Sequence, residues 1–409
     1  MSRKAKLLLT LAASAGMILL VTGCNGPMPT KGAAHKDAVD RADGRWKTMR
    51  SNMMLQMATQ QFATGDLDQA EKTINEALEI DKKNDRLYTL GGRVCIERGQ
   101  LERAYHMLGI AIETNAKSGD AQYYQGLVLQ RWQQYEGALV RYRQAYGLEP
   151  DNVAYLLAVT EMLVSVDHIE EARELLEDKQ AYFDQNAGVR SALGQVYLLL
   201  NQPEKAVECF KQASVLRPDD AQTQEQLGQA QAAAGKHADA IVTLEKLTSR
   251  AEYANRRDVQ MTLASSLLAA GRTADAKSLL VKLTRSNPGE VEGWIKLGQL
   301  CWSMEDTNGT LTAASRVIAL SPRRHEGYLL SGLVWQKRGE LDKALPFFDQ
   351  AATAAPDNAL PLVLRGLALE KAGRPAAALE SYNQALQRKP EDDRVKKLQA
   401  RLSAVTVTP

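Results

Sequence analysis

The chain has 409 residues and a formal net charge of +2, and 24% of its residues are charged, so its composition indicates neither a strongly basic nucleic-acid binder nor a disordered chain. Its 44% of hydrophobic residues is the apolar fraction of a globular protein, not of a multi-span membrane protein. Four cysteines in a chain of this length cannot form a disulfide scaffold.

Residues 1–23 predict an export signal peptide. Three bases and no acid lie within the first six residues, and an apolar run over residues 7–20 follows, which is too short to span a bilayer comfortably as a permanent helix. The segment from Val21 to Cys24 reads Val-Thr-Gly-Cys, so two small residues stand directly before the cysteine. An ordinary secretory signal with an incidental Cys24 is the alternative interpretation.

This order of residues resembles the lipobox of bacterial lipoproteins, in which an apolar residue and two small residues precede the modified cysteine. The resemblance implies that Cys24 carries a diacylglycerol on its thiol and usually a third acyl chain on its amine, and two or more acyl chains give stable anchoring. Asn25, rather than aspartate, follows Cys24, which by similarity to enterobacterial sorting implies an outer-membrane anchor that faces the periplasm. Inner-membrane anchoring stays open.

Residues 24–50 predict a lipidated N-terminus followed by a flexible tether. This segment contains glycine, proline, lysine and aspartate and few apolar residues. We expect it to separate the lipid from the folded body.

Residues 51–392 consist of an internal repeat. Ten units start near residues 51, 85, 119, 153, 187, 221, 257, 291, 325 and 359, and every step is 34 residues except one of 36. Position 8 of the unit is small in all ten repeats, position 20 is alanine in nine, and position 24 is large in nine. Proline occupies position 32 in six repeats, where it ends one helix before the next unit begins.

This pattern resembles the tetratricopeptide repeat (TPR), a helix–turn–helix unit of 34 residues. The units at 291–324 and 187–220 carry the resemblance most clearly, the latter through Gly194, Ala206 and Phe210. The resemblance implies an all-α fold, a right-handed α-solenoid of about ten TPR repeats whose neighbours stack into one core. Residues 393–409 keep apolar residues at helical spacing among basic ones, which predicts a C-terminal capping helix and tail.

No catalytic or metal-binding motif stands out in the sequence. The five histidines do not pair at helical spacing, and no acid or cysteine cluster joins them, so we expect neither a metal nor a cofactor. Three cysteines, Cys95, Cys209 and Cys301, are expected to be small buried residues, with a regulatory thiol as the alternative. Repeats occupy about 342 of the 386 residues after the signal, so the chain is not expected to be an enzyme, and an enzyme with a TPR accessory region is a remote alternative.

The predicted binding surface lies on the first helix of each repeat. In the TPR family, positions 2, 5, 6, 9, 12 and 13 of that helix line a concave groove, and tyrosine, tryptophan and arginine there are frequent hot spots for a peptide or partner helix. By this resemblance, the candidate protein-binding residues are Arg93, Tyr123, Tyr124, Gln130, Arg131, Glu161, Gln195, Gln229, Gln299, Trp302, Gln336 and Lys337. A merely solvated inner face is the alternative for any one of them.

The signal, the lipobox and the repeat array together resemble the tight-adherence and type IV pilus assembly lipoproteins. The resemblance implies a periplasm-facing scaffold that binds proteins or peptides of an envelope assembly, first of all a pilus or secretion apparatus, and that touches the membrane through its lipid. A scaffold in exopolysaccharide synthesis or export is the second hypothesis. Neighbouring genes would separate them, since pilus ATPase and secretin genes accompany the first and glycosyltransferase genes the second.

Overall fold

The structure, a computed structural model, describes residues 31–406, and this part of the chain contains helices and no strands. The predicted signal peptide and Cys24 lie outside the described residues. The described residues fall into two compact units, the first ending at Gln134 and the second beginning at Tyr135. The predicted all-α fold of tandem helix pairs is confirmed.

The described residues of the first unit contain five helices. They are α1 (Lys31–Ala63), α2 (Leu67–Ile80), α3 (Asp85–Glu97), α4 (Leu101–Thr114) and α5 (Gly119–Arg131). Consecutive helices pack side by side, and their buried residues form one apolar core.

The second unit contains the remaining sixteen helices of the described chain. They are α6 (Tyr135–Leu148), α7 (Val153–Ser165), α8 (Ile169–Lys179), α9 (Ala187–Leu199), α10 (Pro203–Leu216), α11 (Ala221–Ala233), α12 (His237–Thr248), α13 (Arg257–Ala269), α14 (Thr273–Ser286), α15 (Val291–Ser303), α16 (Thr307–Leu320), α17 (His325–Lys337), α18 (Leu341–Ala354), α19 (Leu360–Lys371), α20 (Pro375–Arg388) and α21 (Asp393–Thr406). Each neighbouring pair again packs side by side.

The repeat register read from the sequence coincides with the helix boundaries. Eight first helices, from α3 to α17, begin at the residue where a repeat was expected to start, and α19 begins one residue later, at Leu360. The step of 36 residues lengthens the connection after α12, which ends at Thr248, while α13 begins at Arg257. The insertion therefore changes a loop and leaves both helices intact.

The small residue at position 8 makes room for the large residue at position 24. A Cβ added to Gly194 would lie 2.8 Å from the ring of Phe210 on the partner helix. One repeat uses another neighbour: a Cβ on Gly298 would meet Leu330, from the following repeat, at 2.8 Å. Position 24 of that repeat is the small Ala314, so Leu330 takes the volume that a large residue fills elsewhere.

Position 15, between the two helices of a repeat, adopts a left-handed backbone in all ten repeats. Six of these residues are glycines, with φ between 70° and 81°. The other four are Gln133, Asp167, Asn201 and Glu305, with φ between 54° and 62°. The geometry of the turn thus persists where the sequence does not supply the glycine that favours it.

The N-terminal helix differs from the expected tether. Residues 31–50 are helical and continue into the first repeat as α1, whereas the sequence suggested a flexible segment up to residue 50. The side chains over 35–50 are exposed, so this extension packs against no other described helix. Local interactions support it, including the ion pair of Lys47 with Asp43 at 2.8 Å, one helical turn apart. The expectation rested on the glycine, proline, lysine and aspartate content of the segment, and composition alone does not show the helical spacing of its few apolar residues.

The C-terminal helix α21 covers the last repeat. Val395 and Leu402 are buried in a cluster with Tyr382 and Leu362, while the rest of α21 is largely polar. This is the arrangement that a terminal unit of a repeat array needs. None of the described helices is long and apolar enough to cross a membrane.

Candidate functional site

The twelve candidate groove residues all lie on first helices of repeats, and none is fully buried. The exposed ones are Arg131, Glu161, Gln195, Gln299 and Lys337. The partly buried ones are Arg93, Tyr123, Tyr124, Gln130, Gln229, Trp302 and Gln336. The five residues from Arg93 to Arg131 belong to the first unit and the other seven to the second, so they form two separate groups.

In the first unit, Arg93 lies between two aromatic rings. Its guanidinium carbon is 4.7 Å from the ring centre of Phe62 on α1 and 4.9 Å from that of Tyr124 on α5. Both distances are those of cation–π contacts, to which a planar guanidinium is well suited. The three residues therefore form a ladder that joins the first helices of three successive repeats.

Tyr124 is as much a packing residue as a surface residue. It packs against the apolar core of the first unit, and Tyr123 meets it edge-on with ring centres 5.2 Å apart. Burial raises the pKa of the Tyr124 hydroxyl, and the positive charge of Arg93 opposes that rise. Truncation of Tyr124 is therefore expected to lower stability as well as to alter the surface.

The C-terminal end of α5 is held against α3. Arg131 donates a hydrogen bond from Nη1 to the carbonyl oxygen of Ile96 at 3.0 Å. Nearby, the rings of Tyr105 and Trp132 lie 5.4 Å apart. Arg131 thus has a structural role in addition to its exposure, and its charge stays at the surface of this unit.

In the second unit, Trp302 and Lys337 lie together. The ammonium nitrogen of Lys337 is 5.5 Å from the ring centre of Trp302, on the first helix of the preceding repeat. The same nitrogen is 3.3 Å from a carboxylate oxygen of Glu305, which occupies the left-handed turn after α15. An aromatic ring, a cation and an anion thus share one accessible patch, which can offer a stacking surface and charges of both signs.

A second polar group surrounds Gln229 on α11. Gln229 donates a hydrogen bond from Nε2 to Glu225 at 3.2 Å, and the same carboxylate is 2.8 Å from the guanidinium of Arg256. Arg256 also donates a hydrogen bond from Nε to the carboxylate of Asp258, which lowers the pKa of that carboxyl to about 2. The group is arranged by its own ion pairs, so Gln229 is oriented before any partner arrives.

Sequence reasoning missed the residues that complete these groups. Phe62 and Glu305 were not candidates, although they form the second face of the Arg93 ladder and the anion beside Lys337. The sequence does contain a signal for Phe62, because Phe62, Arg93 and Tyr124 stand at positions 12, 9 and 6 of successive repeats, with a constant separation of 31 residues. A comparison of the same position in every repeat does not reveal residues whose position shifts by three from one repeat to the next.

The three described cysteines are buried in the core. Cys95, Cys209 and Cys301 are free and buried, and burial raises the pKa of each, that of Cys209 to about 11. Within residues 31–406, no group of three or more histidine, cysteine or acidic residues is arranged to hold a metal ion.

Comparison with protein families identifies the repeats. Tetratricopeptide repeat models match residues 53–84, residues 261–307 with 310–359, and residues 336–402, and a TPR repeat model matches residues 194–235. Together they cover 214 of the 409 residues, with the shared residues 336–359 counted once. No curated protein sequence matches the chain significantly.

Several solved helical-repeat structures are similar to the chain. Yeast Tom70 is 15% identical, with 88% of this chain and 89% of that chain covered and a TM-score of 0.41. Cut9 in the APC/C Cut9–Hcn1 hetero-tetramer is 13% identical, with 86% and 90% covered and a TM-score of 0.42. MamA from Desulfovibrio magneticus RS-1 is 22% identical, with 40% and 93% covered and a TM-score of 0.37. At these identities the likeness concerns the fold alone.

Proposed function

The chain belongs to the tetratricopeptide repeat family, and we propose that it is a lipid-anchored envelope scaffold whose first-helix surfaces hold protein partners during assembly of a pilus or secretion apparatus. TPR repeats form scaffolds for protein–protein interaction. The partner, the compartment and the anchor are the proposed elements.

The contact between Trp302 and Lys337 is the observation that carries the proposed binding surface. Tryptophan buries a large area at low entropic cost, and hot spots in interfaces are enriched in such residues. Lys337 lies over the ring and also faces Glu305, so the local charge is nearly balanced. A partner segment with an apolar or aromatic anchor flanked by polar groups fits this patch better than a strongly acidic or basic one.

The envelope location rests on the N-terminal sequence. The basic start, the apolar run and the Val-Thr-Gly-Cys segment ending at Cys24 fit a lipoprotein signal, and Asn25 favours the outer membrane by the sorting rule stated above. With two or three acyl chains the protein would stay on the membrane, and its repeats would face the periplasm.

Replacement of Cys24 by alanine tests the anchor. We expect wild-type protein to remain with membranes after a carbonate wash and to incorporate labelled palmitate, and Cys24→Ala to do neither. Membrane retention of Cys24→Ala after the wash would contradict lipid anchoring through this residue.

Capture of partners from the native envelope tests the scaffold role. Trp302→Ala and Lys337→Ala are expected to lower capture roughly tenfold or more, as loss of a hot spot does. Lys343→Ala is the matched control, because Lys343 also lies over a tryptophan, 4.7 Å from the ring centre of Trp335, but belongs to the second helix α18. Recovery of pilus or secretion proteins would support the proposal, and recovery of glycosyltransferases would favour the exopolysaccharide alternative.

A further inference from the structure

The first repeat has an open stacking face on α1. Position 3 of the first helix is buried in all nine later repeats, and position 7 is buried in eight of them. In the first repeat these positions are Met53 and Met57, which are 66% and 53% exposed. Two large apolar side chains thus stand exposed at positions that are covered in nearly all later repeats.

In the later repeats, a helix covers this face. A Cβ added to Gly327, at position 3, would lie 2.9 Å from the carbonyl oxygen of Ala314 and from Ile318, both on the preceding second helix α16. A Cβ on Gly91, at position 7, would lie 2.2 Å from Met107 on α4, the second helix of the same repeat, and 3.5 Å from Ile74 on the preceding second helix α2. Short turns join these packed helices, so the covering helix runs antiparallel to the covered one. The open face of α1 therefore has the shape that receives an antiparallel helix.

The open face continues along the N-terminal extension of α1. Met49, Trp46 and Val39 are 62%, 52% and 50% exposed. Counted backwards along the chain from Met53, they lie at successive steps of four, three and seven residues. These steps keep them on one side of the helix. Val39, Trp46, Met49, Met53 and Met57 form what we call the α1 stripe, about 27 Å long at a rise of 1.5 Å per residue.

We propose that the α1 stripe pairs, antiparallel, with the α1 stripe of a second copy of this chain. The stripe is self-complementary under a two-fold axis: reversal places Trp46 against Met49 of the second copy. The same arrangement brings Asp43 close to Arg50 of the second copy, since both residues flank the stripe on one side. Such an isologous contact closes on itself and yields a dimer, not a filament.

A second copy fits the stripe better than a membrane surface does. Met53 and Met57 belong to the repeat register, and in that register the neighbouring surface is a helix. Helices in proteins gain most of their stability from packing of an apolar face, so a helical partner would also stabilise the extension itself. An anionic lipid surface is the competing occupant, because bases such as Arg45 and Lys47 accompany the stripe.

Photo-crosslinking of the full chain in the producing cells tests the proposal. With Met49→p-benzoylphenylalanine, we expect an adduct of about twice the 45.0 kDa chain mass that contains both of two differently tagged copies. Val215→p-benzoylphenylalanine is the matched control, because Val215 is 77% exposed on α10, outside the stripe. A self-adduct of equal yield at residue 215, or adducts of residue 49 only with lipid or with another protein, would overturn the proposal.

Charge exchange tests the antiparallel register. Asp43→Arg and Arg50→Asp should each weaken dimerisation roughly tenfold, because each removes two ion pairs between copies and creates two like-charge contacts. The double variant Asp43→Arg/Arg50→Asp should restore the crosslinked yield at residue 49. Failure of the double variant to exceed the single ones, with the helix content unchanged, would overturn the proposed pairing.

Discussion

Gly332 on α17 lies directly against the ring of Phe348 on α18: a Cβ added at Gly332 would come within 2.6 Å of the phenyl carbons. The hydrogen atom of glycine is therefore what lets the two helices of this repeat approach. The same small-against-large contact recurs between Gly228 and Leu244, where the corresponding distance is 2.5 Å.

Gly332→Ala should destabilise the protein by up to about 2 kcal/mol. Overpacking costs about 1–3 kcal/mol, and alanine returns about 1 kcal/mol of helix propensity. Urea unfolding would measure the change in the free energy of unfolding. Gly147→Ala is the control, since a Cβ there meets nothing within 4 Å and should be neutral or stabilising. In Gly332→Ala/Phe348→Leu the two effects should be less than additive; strict additivity would show that the residues do not interact.

Glu305→Gly should stabilise the second unit by about 0.5–1 kcal/mol. Glu305 has φ 61°, a left-handed conformation that costs a side-chain-bearing residue more than it costs glycine. The ion pair with Lys337 that it would lose is exposed and contributes little. The converse change, Gly339→Ala at φ 80°, should destabilise the protein although nothing lies within 4 Å of the new Cβ. Thermal unfolding should show a higher melting temperature for Glu305→Gly and a lower one for Gly339→Ala. A loss of stability in Glu305→Gly would contradict the backbone argument.

Asp306 should contribute a pH-dependent part of the stability in the acid range. The Lys277 ammonium, 2.9 Å away, and the Gly309 amide hold the pKa of this carboxyl below its ordinary value of 3.8. A lowered folded-state pKa means that the stabilisation is present above pH 3.8 and is lost as the pH falls through the lower folded value. Asp306→Asn keeps an N-cap but loses the charge. The free energy of unfolding of this variant should lie less than about 1 kcal/mol below that of the wild type above pH 3.8, because the pair is so accessible. Urea unfolding should show this difference disappear as the pH falls through the lowered pKa of Asp306.

The three buried thiols should be inert in the native protein. Cys95, Cys209 and Cys301 are 2%, 7% and 2% exposed, and their pKa values are raised by burial, so little thiolate is present at pH 8. A chromogenic disulfide reagent should label none of them in the folded state and all three after denaturation. Rapid labelling of any one in the native protein would favour the regulatory-thiol alternative.

The sequence predicted the repeats well because their physics is local and periodic. The start of α15 at Val291 and the loop after Thr248 followed from spacing, and the turn glycines and the small residues at position 8 each have a short-range cause. The repeat register also placed Trp302 on a first helix, where the structure shows it partly buried.

The contacts between repeats were less accessible to sequence reasoning. Arg93 meets Phe62 and Tyr124 only because successive repeats are displaced relative to one another, and no fixed column encodes that displacement. The helical extension over residues 31–50 was missed for a different reason. Its steps from Val39 to Met49 are helical, but these residues precede the repeat register and lie next to residues with tether-like composition.

Site-specific photo-crosslinking within the second unit tests most directly the central claim, that the first-helix surface holds the partner. A p-benzoylphenylalanine at Gln299, exposed on α15 one turn before Trp302, should form an adduct with an envelope protein, and Lys337→Ala should reduce that adduct. The same group at Val242, 69% exposed on the second helix α12, should form none. Equal adducts from both positions, or adducts from Val242 alone, would contradict the claim.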